Sequence, residues 1–167
     1  LFTERELTVD ECAEYLCRAI GRLRSVNPDV RVVLTVSPIR YAKYGFHGSQ
    51  LSKAVLLLAA DKVVRGHDMV EYFPAYEIVN DELRDYRFYR EDMLHPSDQA
   101  VEYIWQRFGD TYFSEHTLSF LEEWRPVKAA LGHRPFNADS EEHKEFLRKT
   151  MAKADALKAK YEGFEMP

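Results

Sequence analysis

Apolar residues recur at helical spacing near the start of the chain, and an almost continuous apolar run follows them. Residues 9–23 place apolar side chains every three or four positions, which predicts an amphipathic helix. Thr8 and Glu11 have the spacing of a capping box and predict where this helix begins. The Asn-Pro pair at 27–28 ends the pattern because proline disfavours a helical residue before it. The run 31–36 then predicts a parallel strand covered on both faces.

The same order of elements is repeated once. A second apolar stripe follows Ser49 or Ser52, either of which is expected to cap the helix, and it ends at 65–68. Residues 69–73 predict a second, shorter strand. Two parallel strands joined by a helix form a right-handed crossover, so an α/β fold is predicted. Ligands in such sheets bind outside the carboxyl ends of the strands, which places a site beside Ser37 and residues 74–76.

Helical patterns dominate the rest of the chain. Ser97 is expected to start a helix that Gly109 closes, and a further helix is predicted over 113–124. Pro126, Gly132 and Pro135 interrupt the pattern. The sequence therefore predicts an α/β domain over 1–125, a linker over 126–138 and a C-terminal amphipathic helix over 139–167, which Asp139 and Glu142 open.

Composition narrows the class of protein. The chain has 167 residues, a formal charge of −5 and 46% hydrophobic residues, which predicts an ordered, acidic domain. Net negative charge argues against nucleic acid or an anionic membrane as a partner, and no apolar run is long enough to span a bilayer. Cys12 and Cys17 are too far apart around a helix to bridge each other. Two free thiols favour a cytoplasmic location.

The segment Asp92-Met93-Leu94-His95-Pro96-Ser97 carries the clearest chemistry. A carboxylate three residues before a histidine can accept a hydrogen bond from the imidazole Nδ1–H. That bond fixes the tautomer and leaves Nε2 free to take a proton from a nucleophile. Asp92 and His95 are therefore the candidate catalytic residues.

Longer stretches around this segment resemble a known family. Residues 72–78, 81–89 and 92–97 are similar to the GSCFA family, an SGNH/GDSL-like group of hydrolases, and residues 35–40 and 51–54 are similar to its preceding segment. The resemblance spans about residues 5–125. It implies a partial three-layer, SGNH/flavodoxin-like α/β fold with a short parallel sheet and flanking helices.

The resemblance also implies an activity, the hydrolysis of ester-linked acyl groups such as O-acetyl groups on carbohydrate, with His95 as base and Asp92 orienting it. The Gly-Ser-Cys-Phe-Ala segment that bears the family's nucleophile is absent. We therefore expect this chain to be the C-terminal part of a longer protein and to be inactive alone. Ser37, Arg40, Lys53 and Tyr76 are candidate substrate-binding residues, although ion pairs and turns are the commoner roles of the first three.

The sequence also offers three other interpretations. Gly48-Ser49, beside His47, is the only Gly-Ser pair, but the serine is expected to cap a helix rather than act as a nucleophile. Glu91, Asp92, His95 and Asp98 could surround a divalent ion, yet no second histidine or cysteine is near, so neither a metal nor a cofactor is predicted.

A non-enzymatic interaction module is the alternative function. In either case we expect a homo-oligomer or association with the missing N-terminal portion, because two strands leave the sheet uncovered.

Overall fold

The computed structural model describes residues 4–137 and 139–164, and the chain divides into two compact units, Leu1–Arg107 and Phe108–Pro167. The first unit follows the predicted order of helix, strand, helix and strand. Its main elements are α1 (Val9–Val26), β1 (Val32–Leu34), α2 (Gly45–Arg65) and β2 (Val70–Tyr72). No helix in the described part of the chain is both long and apolar enough to cross a membrane.

The two strands form a short parallel sheet, as predicted. Val32 pairs with Val70 and Leu34 with Tyr72. Each strand has three residues, fewer than the predicted runs 31–36 and 69–73. The Phe73 amide donates to the Leu34 carbonyl at 2.8 Å, and the chain leaves the sheet after this bond. The α/β fold with a short parallel sheet and flanking helices is confirmed.

The capping box of α1 forms as predicted. The Glu11 amide donates to Thr8 Oγ1 at 3.3 Å, and the Thr8 amide donates to Glu11 Oε2 at 2.9 Å. These bonds satisfy backbone donors that the first turn of a helix leaves without partners. α1 then packs against α2 and the sheet through one apolar cluster, whose buried members are Ala13, Ile20, Ala59, Val63 and Val70.

α2 begins earlier than its serines suggested. The helix starts at Gly45, so neither Ser49 nor Ser52 is its N-cap. Gly45 has φ +67°, a conformation that glycine adopts without strain, and it turns the chain from a 3₁₀ turn at Ala42–Tyr44 into the helix. The Ser49 hydroxyl instead accepts a hydrogen bond from the Tyr41 amide at 3.1 Å, which ties the preceding loop to the helix.

The segment after β2 is irregular. A single helical turn, α3 (Ala75–Glu77), runs into a π-helix at Ile78–Leu83. Arg84 ends the π-helix in the left-handed conformation, with φ 43° and ψ 29°. A 3₁₀ turn at Tyr86–Phe88 follows and leads to the loop that carries Asp92 and His95.

α4 (Asp98–Tyr112) runs beyond the glycine that was expected to end it. Ser97 Oγ accepts from the Ala100 amide at 3.3 Å, as predicted for a residue that starts the helix. Gly109 does not stop the helix. A Cβ at Gly109 would lie 3.1 Å from the ring of Phe113, so the glycine permits close packing there.

The second unit contains the last turn of α4 and a pair of helices, and helix occupies residues 126–131 of the predicted linker over 126–138. α5 (Glu115–Leu131) continues through Pro126, and α6 (Glu141–Lys160) follows a short connection. A proline inside a helix costs about 3 kcal/mol, and burial of the adjacent Val127 against α6 offsets it. The division of the chain at Arg107 also lies earlier than the predicted boundary at 125.

α6 pairs with α5 along part of its predicted stripe. Ala154, Leu157 and Tyr161 are buried in the cluster with Val127, and the rings of Phe120, Trp124 and Phe164 pack around them. Ser140 is the N-cap, since its hydroxyl accepts from the His143 amide at 3.2 Å. The start predicted from Asp139 and Glu142 is therefore correct to within two residues, and the buried side of the helix packs against α5.

Candidate active site

A tight loop presents Asp92 and His95 before α4. An isolated antiparallel bridge between Tyr89 and Pro96 closes its base. The Arg90 amide donates to the His95 carbonyl at 2.8 Å, and the Met93 amide donates back to the Arg90 carbonyl at 2.9 Å. Met93 has φ 60°, in the left-handed region. The loop is therefore held by its own backbone hydrogen bonds.

The side chains of Asp92 and His95 meet as predicted. His95 Nδ1 lies 2.6 Å from Asp92 Oδ2. The other carboxylate oxygen, Oδ1, accepts from the backbone amides of Leu94 at 2.8 Å and His95 at 3.0 Å. With the Nδ1 proton in the bond to Asp92, the free nitrogen is Nε2. Both side chains are about half exposed, at 50% for His95 and 43% for Asp92, so solvent can reach the pair.

These bonds stabilise the ionised form of the carboxylate. They lower the pKa of Asp92 from 3.8 to about 2, with the His95 amide as the largest cause, the Leu94 amide next and the imidazole third. Asp92 is thus a carboxylate throughout the pH range in which a histidine titrates. Such a carboxylate can stabilise an imidazolium at His95.

Arg40 joins the segment after β1 to this loop. Its amide donates to the Leu94 carbonyl at 3.0 Å, and its Nη1 donates to the Met93 carbonyl at 3.3 Å. The guanidinium carbon lies 4.2 Å from the centroid of the Tyr89 ring, a cation–π distance. The Asp92–His95 loop therefore lies next to the chain that leaves the carboxyl end of β1, where a ligand site of this fold is expected.

The other candidate substrate-binding residues contact α2. Lys53 Nζ donates to the Ser37 carbonyl at 2.6 Å, and partial burial lowers the pKa of Lys53. Ser37 Oγ accepts from the Ile39 amide at 3.3 Å, which is the turn-forming role weighed from the sequence. Tyr76 donates its hydroxyl to Gln50 at 2.6 Å. Of the four candidates, Arg40 is the one whose bonds reach the Asp92–His95 loop.

Two alternative sites receive no support. Ser49 is 6% exposed and its hydroxyl accepts from the Tyr41 amide, so it is poorly placed to attack a substrate. Arg90 forms an ion pair with Asp98 at 2.6 Å, so the Asp98 carboxylate has a cationic partner other than the divalent ion considered from the sequence. Within residues 4–137 and 139–164, no group of three or more histidine, cysteine or acidic side chains could hold a metal ion.

Sequence reasoning missed several residues beside the loop. Asn80, Arg84, Asp85 and Tyr86 line a depression that Arg40 also borders. Arg84 is brought there by the π-helix and its left-handed end, neither of which has a recognisable signature in the sequence. Arg84 could have been noted in the sequence as an arginine near His95. Its position beside the Asp92–His95 loop, however, is visible only in the structure of the backbone.

Comparison with known families accounts for both units. Residues 1–108 match the model of the GSCFA family, and residues 124–166 match that of the GSCFA domain protein, C-terminal domain. The second match covers the stretch in which no motif was found from the sequence. No curated protein and no solved structure matches the sequence. The first match spans well over half of the chain, which therefore belongs to the GSCFA family.

Proposed function

We propose that this chain supplies the histidine and aspartate of an SGNH-type serine hydrolase that cleaves ester-linked acyl groups, such as O-acetyl groups on carbohydrate. The observation that carries the proposal is the 2.6 Å contact between His95 Nδ1 and Asp92 Oδ2 in an exposed loop. A histidine oriented in this way has one nitrogen anchored and the other open to a reacting group.

The proposed chemistry is acyl transfer through a covalent intermediate. His95 Nε2 takes the proton of the nucleophile as that group attacks the ester carbonyl. The imidazolium, stabilised by Asp92, then protonates the departing alcohol. Water repeats the two steps on the acyl-enzyme and releases the carboxylic acid. General acid–base help of this kind contributes roughly 10²–10⁴ in rate.

On this proposal the nucleophile comes from outside residues 1–167. The sequence contains no Gly-Ser-Cys-Phe-Ala segment, and Ser49, in the one Gly-Ser pair, is buried and bonded to the Tyr41 amide. Without a nucleophile there is no acyl-enzyme path for His95 to accelerate. The chain by itself is therefore expected to be inactive toward esters.

The test is to compare two polypeptides. One is the 167-residue chain, and the other joins a GSCFA-family segment that contains Gly-Ser-Cys-Phe-Ala to it. Hydrolysis of 4-nitrophenyl acetate and release of acetate from an O-acetylated sugar are measured for both. We expect turnover only from the joined polypeptide, and its loss when the nucleophile of the added segment is replaced by alanine. Steady turnover by the 167-residue chain would contradict the proposal.

An interaction module is the second candidate function. Leu51 and Leu58 lie seven residues apart on α2, on one face of the helix, and are 55% and 58% exposed. The two-stranded sheet also leaves strand edges that can pair with another chain. On this proposal the chain self-associates through α2 and the sheet.

Sedimentation velocity over a range of concentrations separates the two candidates. Self-association predicts a sedimentation coefficient that rises with concentration in the parent chain and less so in the double variant Leu51→Ser, Leu58→Ser. A monomer at high micromolar concentration would contradict the interaction module and leave the hydrolase proposal unaffected.

A further inference from the structure

A shallow pocket of about 200 Å³ lies beside the Asp92–His95 loop. Three segments line it: the chain after β1, the π-helix together with Arg84 that ends it, and the 3₁₀ turn that follows. Its polar and aromatic lining residues are Arg40, Asn80, Arg84, Asp85, Tyr86 and Tyr89. Arg40 belongs both to this pocket and to the contacts that hold the Asp92–His95 loop. The pocket and the loop are therefore direct neighbours.

Two arginines give the pocket positive charge. Within the described ranges 4–137 and 139–164, the guanidinium groups of Arg40 and Arg84 form no ion pair. Nearby Arg90, in contrast, is paired with Asp98. The one carboxylate that lines the pocket, Asp85, accepts from the Arg87 amide at 2.9 Å. The lining side chains thus carry a net charge of +1, from two arginines and one aspartate.

Arg40 is held with most of its donors unused. One of its five N–H groups donates to the Met93 carbonyl, and its guanidinium carbon lies 4.2 Å from the centroid of the Tyr89 ring. The ring contact and this single backbone bond hold the guanidinium beside the pocket. A planar donor fixed in this way matches the two oxygens of a carboxylate.

Arg84 reaches the pocket from an unfavourable backbone conformation. Its φ of 43° is in the left-handed region, which non-glycine residues rarely adopt, and its amide donates to the Val79 carbonyl at 3.2 Å. Such conformations cluster at ligand sites, where the surrounding structure maintains them. Here the π-helix that precedes Arg84 provides that support, and π-helical turns are also frequent at functional sites.

The remaining groups suit a sugar. Tyr86 is 67% exposed and offers an aromatic face to the apolar side of a pyranose ring. Asn80 Nδ2 donates to the Tyr76 carbonyl at 2.7 Å, which leaves its amide oxygen to accept from a hydroxyl. The Asp85 carboxylate can accept from a second hydroxyl. A simple anion would use the arginines but would be repelled by Asp85.

We propose that this pocket binds an acidic sugar, with Arg84 and Arg40 donating to its carboxylate and Asp85 and Asn80 accepting from its hydroxyls. The assignment of this sugar as part of the hydrolase substrate rests on the proposed function. The binding itself does not, because it requires neither the nucleophile nor His95.

The test is a titration of the ¹⁵N-labelled 167-residue chain, followed by two-dimensional NMR. The probes are D-glucuronate, D-glucose as the neutral analogue, and inorganic phosphate as an anion without a sugar ring. We expect glucuronate to shift the amides of Arg84 and Tyr86 with saturation, and glucose to bind at least tenfold more weakly. Equal binding of glucose would overturn the role of the arginines. Equal binding of phosphate would overturn recognition of the sugar.

Variants at neighbouring arginines provide the controls. Arg84→Gln should weaken glucuronate binding at least tenfold. Arg87→Gln should leave it unchanged, because Arg87 lies outside the pocket and stacks on Phe88. Arg84→Gly is a second variant that suits the left-handed backbone, so we expect it to stay folded and to weaken binding through loss of the side chain. Retained binding in both Arg84 variants would overturn the proposal.

The outcome can be separated from that of the proposed function. Arg84-dependent glucuronate binding, together with an inactive joined polypeptide, would support the pocket and reject the hydrolase. Ester hydrolysis without glucuronate binding would reject the pocket alone.

Discussion

The backbone amide of Arg40 donates to the carbonyl of Leu94 at 3.0 Å, so the segment after β1 is bonded directly to the Asp92–His95 loop. These residues are 54 positions apart in the sequence (94 − 40), and the bond defines which end of the sheet bears the candidate site. Since Arg40 also lines the neighbouring pocket, one residue links the sheet, the loop and the pocket.

Substitutions at His95 and Asp92 should have unequal effects on hydrolysis by the joined polypeptide. His95→Ala removes the group that moves the proton and should abolish turnover. Asp92→Asn keeps an oxygen for the Leu94 and His95 amides but cannot fix the Nδ1–H tautomer, so kcat should fall by roughly 10²–10⁴. Steady-state kinetics measure both. Equal activity of Asp92→Asn and the parent would contradict the role of the carboxylate.

The bonds to Asp92 should make stability depend on acid pH. Its folded-state pKa of about 2 lies below the ordinary 3.8, so the folded state binds the proton more weakly than the unfolded chain. The resulting stabilisation is present above pH 3.8 and is lost as the pH falls through about 2. Urea unfolding of the parent and Asp92→Asn should therefore differ most near pH 5 and converge near pH 2. A constant difference would contradict the shift.

Lys53 should protect the segment that carries Arg40. Its Nζ donates to the Ser37 carbonyl at 2.6 Å, three residues before Arg40. Lys53→Met keeps the aliphatic part of the side chain but removes this bond, at a cost of about 1–2 kcal/mol. Hydrogen exchange at the Arg40 amide should accelerate about tenfold. Lys62→Met is the matched control on the same helix, since Lys62 pairs with Asp10, and it should leave the Arg40 amide unchanged.

The left-handed conformation of Arg84 predicts an unusual response to substitution. Arg84→Gly removes a strain of about 1–2 kcal/mol and adds a loss of backbone entropy of about 0.5–1 kcal/mol, so stability should change little or rise. Arg84→Val places a β-branched side chain at positive φ and should destabilise the fold by at least 1 kcal/mol. Chemical denaturation measures both. Equal effects of glycine and valine would contradict the assigned conformation.

The core between α1, α2 and the sheet should be the most sensitive to loss of volume. Val63 is 1% exposed, and Val63→Ala should lower the free energy of unfolding by about 2 kcal/mol. Leu58 lies on the same helix and is 58% exposed, so Leu58→Ala should cost less than about 0.5 kcal/mol. Urea denaturation of the two variants provides the comparison.

The parts of the fold that depend on neighbouring residues could be predicted from the sequence. The Thr8–Glu11 capping box and the order of helices and strands through 73 depend on neighbouring residues and apolar spacing, and both are confirmed. The contact between Asp92 and His95 could be predicted for the same reason, since three residues in a turn bring the two side chains together. The catalytic roles of the two residues stay predictions.

Features that depend on distant contacts could not be read from the sequence. Pro126 was expected to end a helix, but α5 continues because Val127 is buried against α6, in a later part of the chain. Gly109 was expected to close α4 but instead makes room for Phe113. The pocket beside His95 depends on the π-helix and on the left-handed Arg84, which tertiary packing maintains against their intrinsic preferences.

One carboxylate both folds the loop and orients the imidazole, since Asp92 Oδ1 binds two backbone amides while Oδ2 binds His95. The conformational entropy of the His95 side chain is therefore lost when the loop forms, before a substrate binds. A molecule with an open loop has no oriented base at all. The observed rate should then equal the rate of the closed form multiplied by its population, so a distant mutation that opens the loop would lower kcat without altering the chemical step.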